Sequence, residues 1–489
     1  MKRKIMIFRR QISVIGLPVI LFTLSLGAGR RDVKSPLQSA PQVVAIVGGT
    51  IIDGTGGSPI KGGIIIMKGN RIDAVGSQSL LKVPNGAQII DASGKYIIPG
   101  LMDANTHLCL LHDWTPEILA RYEGRFEDLI EEAAQVALKY GNTTMFDTWG
   151  PLQPLMNVRD RINRGETQGA RMFVAGNIIG LTGPLGRDFN EEGLKTATKS
   201  FAKRINAIWE ENVGPDLGYM TADQVRAEIR KYIARGVDFL KYASSGHVHE
   251  SFLVFSEEVQ KALVDEGHKA GLTVQAHTTS VESLRMAIEA SVDIITHVAV
   301  TGKVAIPEAT ISDLVKKQIP GGISASNKRK DEIDKRQYAD DPVLLGRINV
   351  MRQHRQRLIK AAVPLYLVTD GGLWDHDYMA QFKPEEWWFF ESYPGEGLLL
   401  RCIDFVESGV SPMDTLLAAT RNPASAYHKL DQIGTIEKGK LADLVILNAD
   451  PLADINNIRN IFMVVKDGKV VDRDKLPLKK ILYPQLYNR

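Results

Sequence analysis

Six polar side chains of this 489-residue chain close short apolar runs, and their types are those that bind metals and move protons. Asn105 and His107 end IIPGLMDANTH, Lys241 lies in VDFLKY, His277 ends LTVQAH, His297 ends VDIITH and Asp370 ends YLVTD. A single histidine at the end of a buried strand is more often a hydrogen-bonded core residue than a ligand. Two at equivalent places, with a carboxylate and a lysine at others, favour a site. Imidazole, carboxylate and oxygen donors suit zinc and its first-row neighbours. Strand alternation puts Asn105 and His107 on one face, yet an amide is a poor metal ligand. Asp370 reads as a ligand and a general base, or as a helix cap or a partner for Lys241. The Lys241 ammonium cannot ligate a metal. It reads as half of a buried ion pair, or as an amine converted by carbon dioxide to a carbamate whose oxygens can. The position leaves both open.

The elements that would carry these groups repeat one phrase: amphipathic helix, small break, apolar strand. TADQVRAEIRKYIARG opens with Thr221 as N-cap and Gln224 at the capping-box position. It places Val225, Ile229 and Ile233 on one face and ends at Gly236. VDFLKYASS follows as a strand, and the same alternation leads to LTVQAHTTS, VDIITHV and LYLVTDGG. A parallel sheet with right-handed crossovers is implied. No GxGxxG turn marks a doubly wound sheet. Polar ends on so many strands favour a closed (β/α)8 barrel, whose chemistry gathers at one mouth. Inserts near 180–220, 325–350 and 373–398 would overhang that mouth. The β-rich stretches 43–98 and 426–472 flank the barrel region 99–425 and would share one satellite sheet; 473–489 is a tail.

In that order, the HxH-like strand, lysine, two histidines and aspartate resemble the amidohydrolase superfamily. DGTGGSPIKGGIIIMKGNRIDAVG, PGLMDA and LAATRNPASAYHKLDQIGTIEKGKLADLVILNADPL agree with it. The match runs from Val43 to about Asp472 and is most similar to the imidazolonepropionase-like and prolidase-like branch. The resemblance implies a barrel beside a β-sandwich domain, one or two divalent ions such as Zn2+, and N6-carboxylation of Lys241. It places metal ligands at His107, Lys241, His277, His297 and Asp370, with Asn105 a weak ligand or a neighbour where the family has its first histidine. Phenylurea hydrolases and molinate hydrolase share this Asn-x-His variation. The implied reaction is hydrolysis of an amide-type C–N bond, with Asp370 and His297 as catalytic groups. An Xaa-Pro dipeptidase and a single-metal deaminase are alternatives on the same fold. The deaminase needs a glutamate soon after His277, and Glu282 lacks the spacing. A non-catalytic binding protein is the remaining rival.

Composition excludes other classes. The net charge is +3, and no basic run is interleaved with aromatics, so no nucleic-acid partner is indicated. Cys109 and Cys402 fit neither a disulfide framework nor a zinc ribbon. Lys2, Arg3, Lys4, Arg9 and Arg10 precede an apolar stretch ending in small residues near Ala28. That pattern predicts a signal peptide over 1–30, a periplasmic or secreted enzyme, and no stable membrane insertion afterwards. A small-molecule substrate is expected, contacted by His247, His249, Trp374, Trp387 and Trp388; the last three belong to an aromatic insert read as a lid or an oligomer contact.

Overall fold

The computed structural model describes residues 42–111, 114–247, 252–300, 302–325, 332, 335–336, 339–374 and 394–482. Five strands open the chain: β1 (Val43–Ile51), β2 (Ile60–Lys68), β3 (Arg71–Ser77), β4 (Gln88–Asp91) and β5 (Tyr96–Pro99). They join β15 (Leu444–Leu447), β16 (Ile461–Lys466) and β17 (Lys469–Val470) in one eight-stranded sheet, ordered β17-β16-β15-β5-β1-β2-β3 with β4 on β1. The chain's two ends meet where β5 pairs antiparallel with β15. Ile46, Ile65, Ile97, Leu444 and Val465 form the sheet's own core.

Between them runs the barrel: β6 (Leu101–Leu111), β7 (Asn142–Asp147), β8 (Arg171–Val174), β9 (Leu240–Ala243), β10 (Val274–His277), β11 (Ile294–Thr296), β12 (Gly321–Ile323), and a last strand in two halves, β13 (Leu365–Leu367) and β14 (Gly371–Leu373). Neighbours pair in parallel from β9 to β13, and from β14 through β6 to β8. The ring closes between β8 and β9 by single bonds. Asp238 N–H donates to Val174 O at 2.9 Å, Ile179 N–H to Lys241 O at 2.8 Å and Ala243 N–H to Ile179 O at 3.0 Å.

Two expectations shift. β6 does not stop at His107 but continues to Leu111, because β14 pairs alongside it as far as Leu373. In the helix Ala222–Ile233 the Thr221–Gln224 capping box is present and Val225 and Ile229 are buried. Tyr232 rather than Ile233 completes the face, since its hydroxyl donates to Ala175 O at 2.8 Å and accepts from Asn177 N–H at 2.9 Å. The barrel floor is filled by Tyr427, which stacks on Phe146 at 3.9 Å and donates to Ala104 O at 2.7 Å. With the floor packed, space opens toward the C-terminal strand ends.

Candidate active site

Asn105, Thr148, Lys241 and Asp370 form one hydrogen-bonded chain at that end. Lys241 Nζ donates to Asn105 Oδ1 and to Thr148 Oγ1, each at 3.1 Å. Thr148 Oγ1 donates to Asn105 Oδ1 at 2.5 Å, and Asn105 Nδ2 donates to Asp370 Oδ1 at 2.6 Å. Asn105 therefore spends its oxygen on the lysine and threonine and turns its NH2 toward the carboxylate. Lys241 is not bonded directly to Asp370; the amide stands between them.

The histidines ring the carboxylate. His107 Nε2 lies 3.1 Å from Asp370 Oδ1, and His297 Nε2 lies 3.8 Å from Oδ2. The His277 and His297 rings stand 4.9 Å apart at 83°. His247 stacks on His277 at 5.4 Å and 18°. Burial pushes the imidazoles of His107, His277 and His297 below their usual range, His297 to about 4, so all three are neutral and able to ligate. Burial pushes the Lys241 ammonium down to about 8 against the pull of Asp370 and Asp147. Burial would raise the Asp370 carboxyl, but His297, His107 and Lys241 outweigh it and hold it well below the usual carboxylate range.

The backbone is arranged for these groups. His297 and Asp370 adopt left-handed φ of 58° and 55°, uncommon for non-glycine residues and frequent at functional sites. Thr369, before Asp370, gives Asp103 its N–H at 3.1 Å and its hydroxyl at 2.6 Å, while Asp370 N–H donates to Asn105 O at 3.0 Å. These bonds break the last strand between β13 and β14 and aim the carboxylate at the centre.

The donor set fits a divalent ion in type. His277 is fully buried, and neither ring nitrogen has a hydrogen-bond partner; His107 Nδ1 is likewise unpartnered. Such orphaned nitrogens are costly unless something ligates them. Among the described residues no three His, Cys, Asp or Glu side chains already form a closed metal cluster. The amide of Asn105 stands beside this set, its NH2 on Asp370 Oδ1.

A cavity of about 690 Å3 rises from Lys241, His107, His277, His297 and Asp370. His247 lines it; Trp374 does not, and is packed partly buried against the main core. His249, Trp387 and Trp388 lie outside the described residues, as do His112 and residues 1–41. Glu282 pairs with Arg285 on an outer helix, away from this cavity. Burial pushes the Cys109 thiol far up, which leaves it no nucleophile. Thr148, Trp114, Trp149 and Phe189 were not singled out in the sequence. Thr148 had one signal, a second polar residue directly after Asp147 at a strand end.

An amidohydrolase family model matches residues 96–471. The chain belongs to the amidohydrolase family. As an amidohydrolase it is a hydrolase acting on C–N bonds, in a superfamily whose members are metal-dependent. It is 22% identical over 439 residues to imidazolonepropionase of Alkaliphilus metalliredigens, covering 85% of this chain and 92% of that one. With ochratoxinase of Aspergillus niger it shares 24% over 455 residues, 88% and 86% of the two chains. Among solved structures, molinate hydrolase superposes with a TM-score of 0.85 at 39% identity over 90% of this chain and 97% of its own. Phenylurea hydrolase B gives 0.86 at 36%, over 90% and 99%. This amidohydrolase thus has the barrel and added sheet of its relatives.

No helix of the described residues is long and apolar enough to cross a membrane.

Proposed function

We propose that this amidohydrolase cleaves an amide-type bond, in an amide, urea, carbamate or N-acyl amino acid, of a small aromatic or bulky apolar substrate. The observation that carries the reading is the convergence of three neutral imidazoles and an ionised carboxylate in one cavity that Trp114, Trp149 and Phe189 also line. Similarity to proteins named molinate hydrolase, phenylurea hydrolase B and ochratoxinase supports it.

His107, His277, His297 and Asp370 would hold Zn2+ or another divalent first-row ion. When bound, such an ion polarises a carbonyl and acidifies water. Asp370 accepts the proton of the attacking water and returns it to the departing nitrogen, so one carboxylate serves as base and then acid. Its depressed pKa keeps it ionised and ready for the first step. Asn105 Nδ2 fixes the carboxylate's orientation at 2.6 Å. Lys241, brought down to about 8 by burial, is neutral in about a tenth of molecules near pH 7. The neutral amine can attack carbon dioxide, forming the Nζ–C bond and losing one proton, to give a carbamate with oxygen donors. The basic and then apolar N-terminus supports export, with mature protein beginning near Gly29.

Purified protein, stripped of metal and reloaded with zinc, should release amine from at least one member of a panel of N-acyl amino acids, phenylureas and aryl carbamates. Loss of that activity on chelation is expected. A panel with no metal-dependent cleavage would overturn the proposal.

A further inference from the structure

Three rings from three separate segments stand face to face along one wall of the cavity. Trp114 stacks on Trp149 at 5.4 Å and 29°, and Trp149 on Phe189 at 4.0 Å and 20°. All three line the cavity, with Leu110 and Ile178 beside them. Trp149 is 2% exposed and fixed before any ligand arrives. Its Nε1 donates to Asn177 Oδ1 at 2.9 Å, and Asn177 is itself held by Leu181 O and the Tyr232 hydroxyl, each at 2.9 Å. A rigid aromatic surface binds with little loss of rotamer freedom.

We infer that Trp149 and Phe189 are specificity-determining residues which select an uncharged aryl group on the substrate; this rests on the hydrolase reading above. The rings already touch one another, so a further ring cannot slip between them. It meets the column edge-to-face, as the His107 ring already meets Trp149 at 6.0 Å and 87°. That contact would bring the aryl group to the side of the cavity where His107 stands. Among the described lining residues the cation is Lys241, whose ammonium is taken by Asn105 and Thr148, and Glu117 and Glu192 stand on the same lining. Away from the divalent ion, a carboxylate on the aryl group itself would meet acid rather than a free cation.

Each edge-to-face contact contributes about 0.5–1.5 kcal/mol beyond burial, or about two- to twelvefold. The zinc-loaded full-length enzyme should therefore prefer an anilide over the matched N-alkyl amide by about tenfold or more in kcat/KM. Phe189→Ala should shrink that ratio to about threefold or less, and Phe189→Leu, which keeps apolar bulk and guards against a folding defect, should fall between. A binding assay on the metal-stripped full-length protein needs no turnover: quenching of tryptophan fluorescence by 4-nitroaniline should give a Kd about tenfold weaker in Phe189→Ala, and 4-nitrobenzoate should bind the wild type more weakly than 4-nitroaniline. Unchanged ring binding in Phe189→Ala, or equal binding of the carboxylate, would overturn the wall's role and leave the hydrolase reading standing. Ring binding as stated with no C–N cleavage of any substrate would support the wall and remove the hydrolase reading.

Discussion

Removing one buried hydroxyl, by Thr148→Val, tests the network that ties Lys241 to Asn105. Thr148 is fully buried, donates to Asn105 Oδ1 at 2.5 Å and accepts from Lys241 Nζ at 3.1 Å. Valine keeps the shape and loses both bonds. A hydrogen bond to a charged group is worth about 1.5–3 kcal/mol and a neutral one about 0.5–1.5 kcal/mol, so the loss sums to about 2–4.5 kcal/mol. An unfolding entropy of ~2.1 cal/mol/K per residue over roughly 440 residues is ~0.9 kcal/mol/K, which converts that loss to a fall of about 2–5 °C in Tm. Thr144→Val, on the strand that leads into Thr148, is the control, because the Thr144 hydroxyl is equally buried and has no hydrogen-bond partner. Its Tm should stay within about 1 °C of the wild type or rise, since it deletes an unsatisfied group. Calorimetry on both variants decides. Equal Tm values for the two would refute the claim that Thr148 anchors Lys241 and Asn105.

Asp370→Asn should fold and keep most of its metal while losing turnover by several orders of magnitude, and retention of about a tenth of wild-type rate would refute its role as base and acid. Asn105→His should raise the metal bound after exhaustive dialysis, read by elemental analysis, because it restores an imidazole where the amide now bonds to Asp370. Lys241→Ala should lose metal and activity with partial rescue by short carboxylic acids; full metal and rate in that variant would rule out the carbamate. Burial raises the Asp103 carboxyl to about 7, above its unfolded value near 3.8. The folded state then binds the proton more tightly, so stability is lost as pH climbs from about 4 through 7. The Tm of Asp103→Asn relative to wild type should accordingly rise between pH 5 and pH 8, whereas parallel curves would show that Asp103 titrates normally.

The barrel was legible because its strands are apolar on both faces and end in groups that have no structural reason to be there, as in VDFLKY and YLVTDGG. The residues around Asp370 were legible for the same reason. Thr148 was not, because a threonine at a strand end usually only satisfies backbone, and its partners lie 43 and 93 residues away. The aromatic wall was hidden in a different way. Trp114, Trp149 and Phe189 come from three loops and no spacing connects them, whereas the consecutive rings around Trp387 and Trp388 stand out in the sequence. Of the alternatives open for Lys241, a direct ion pair with Asp370 is absent because strand alternation gives a direction and no distance; Asn105 occupies the gap.

Titration of zinc into the metal-stripped enzyme, followed by the initial rate of anilide hydrolysis, tests the central claim most directly. The rate should be near zero without metal, rise in proportion to the zinc added and level off before a second equivalent, since the Asn105 network fills the place of one ligand. Hydrolysis that persists in stripped protein, or that no divalent ion restores, would contradict a metal-dependent hydrolase built on His107, His277, His297 and Asp370.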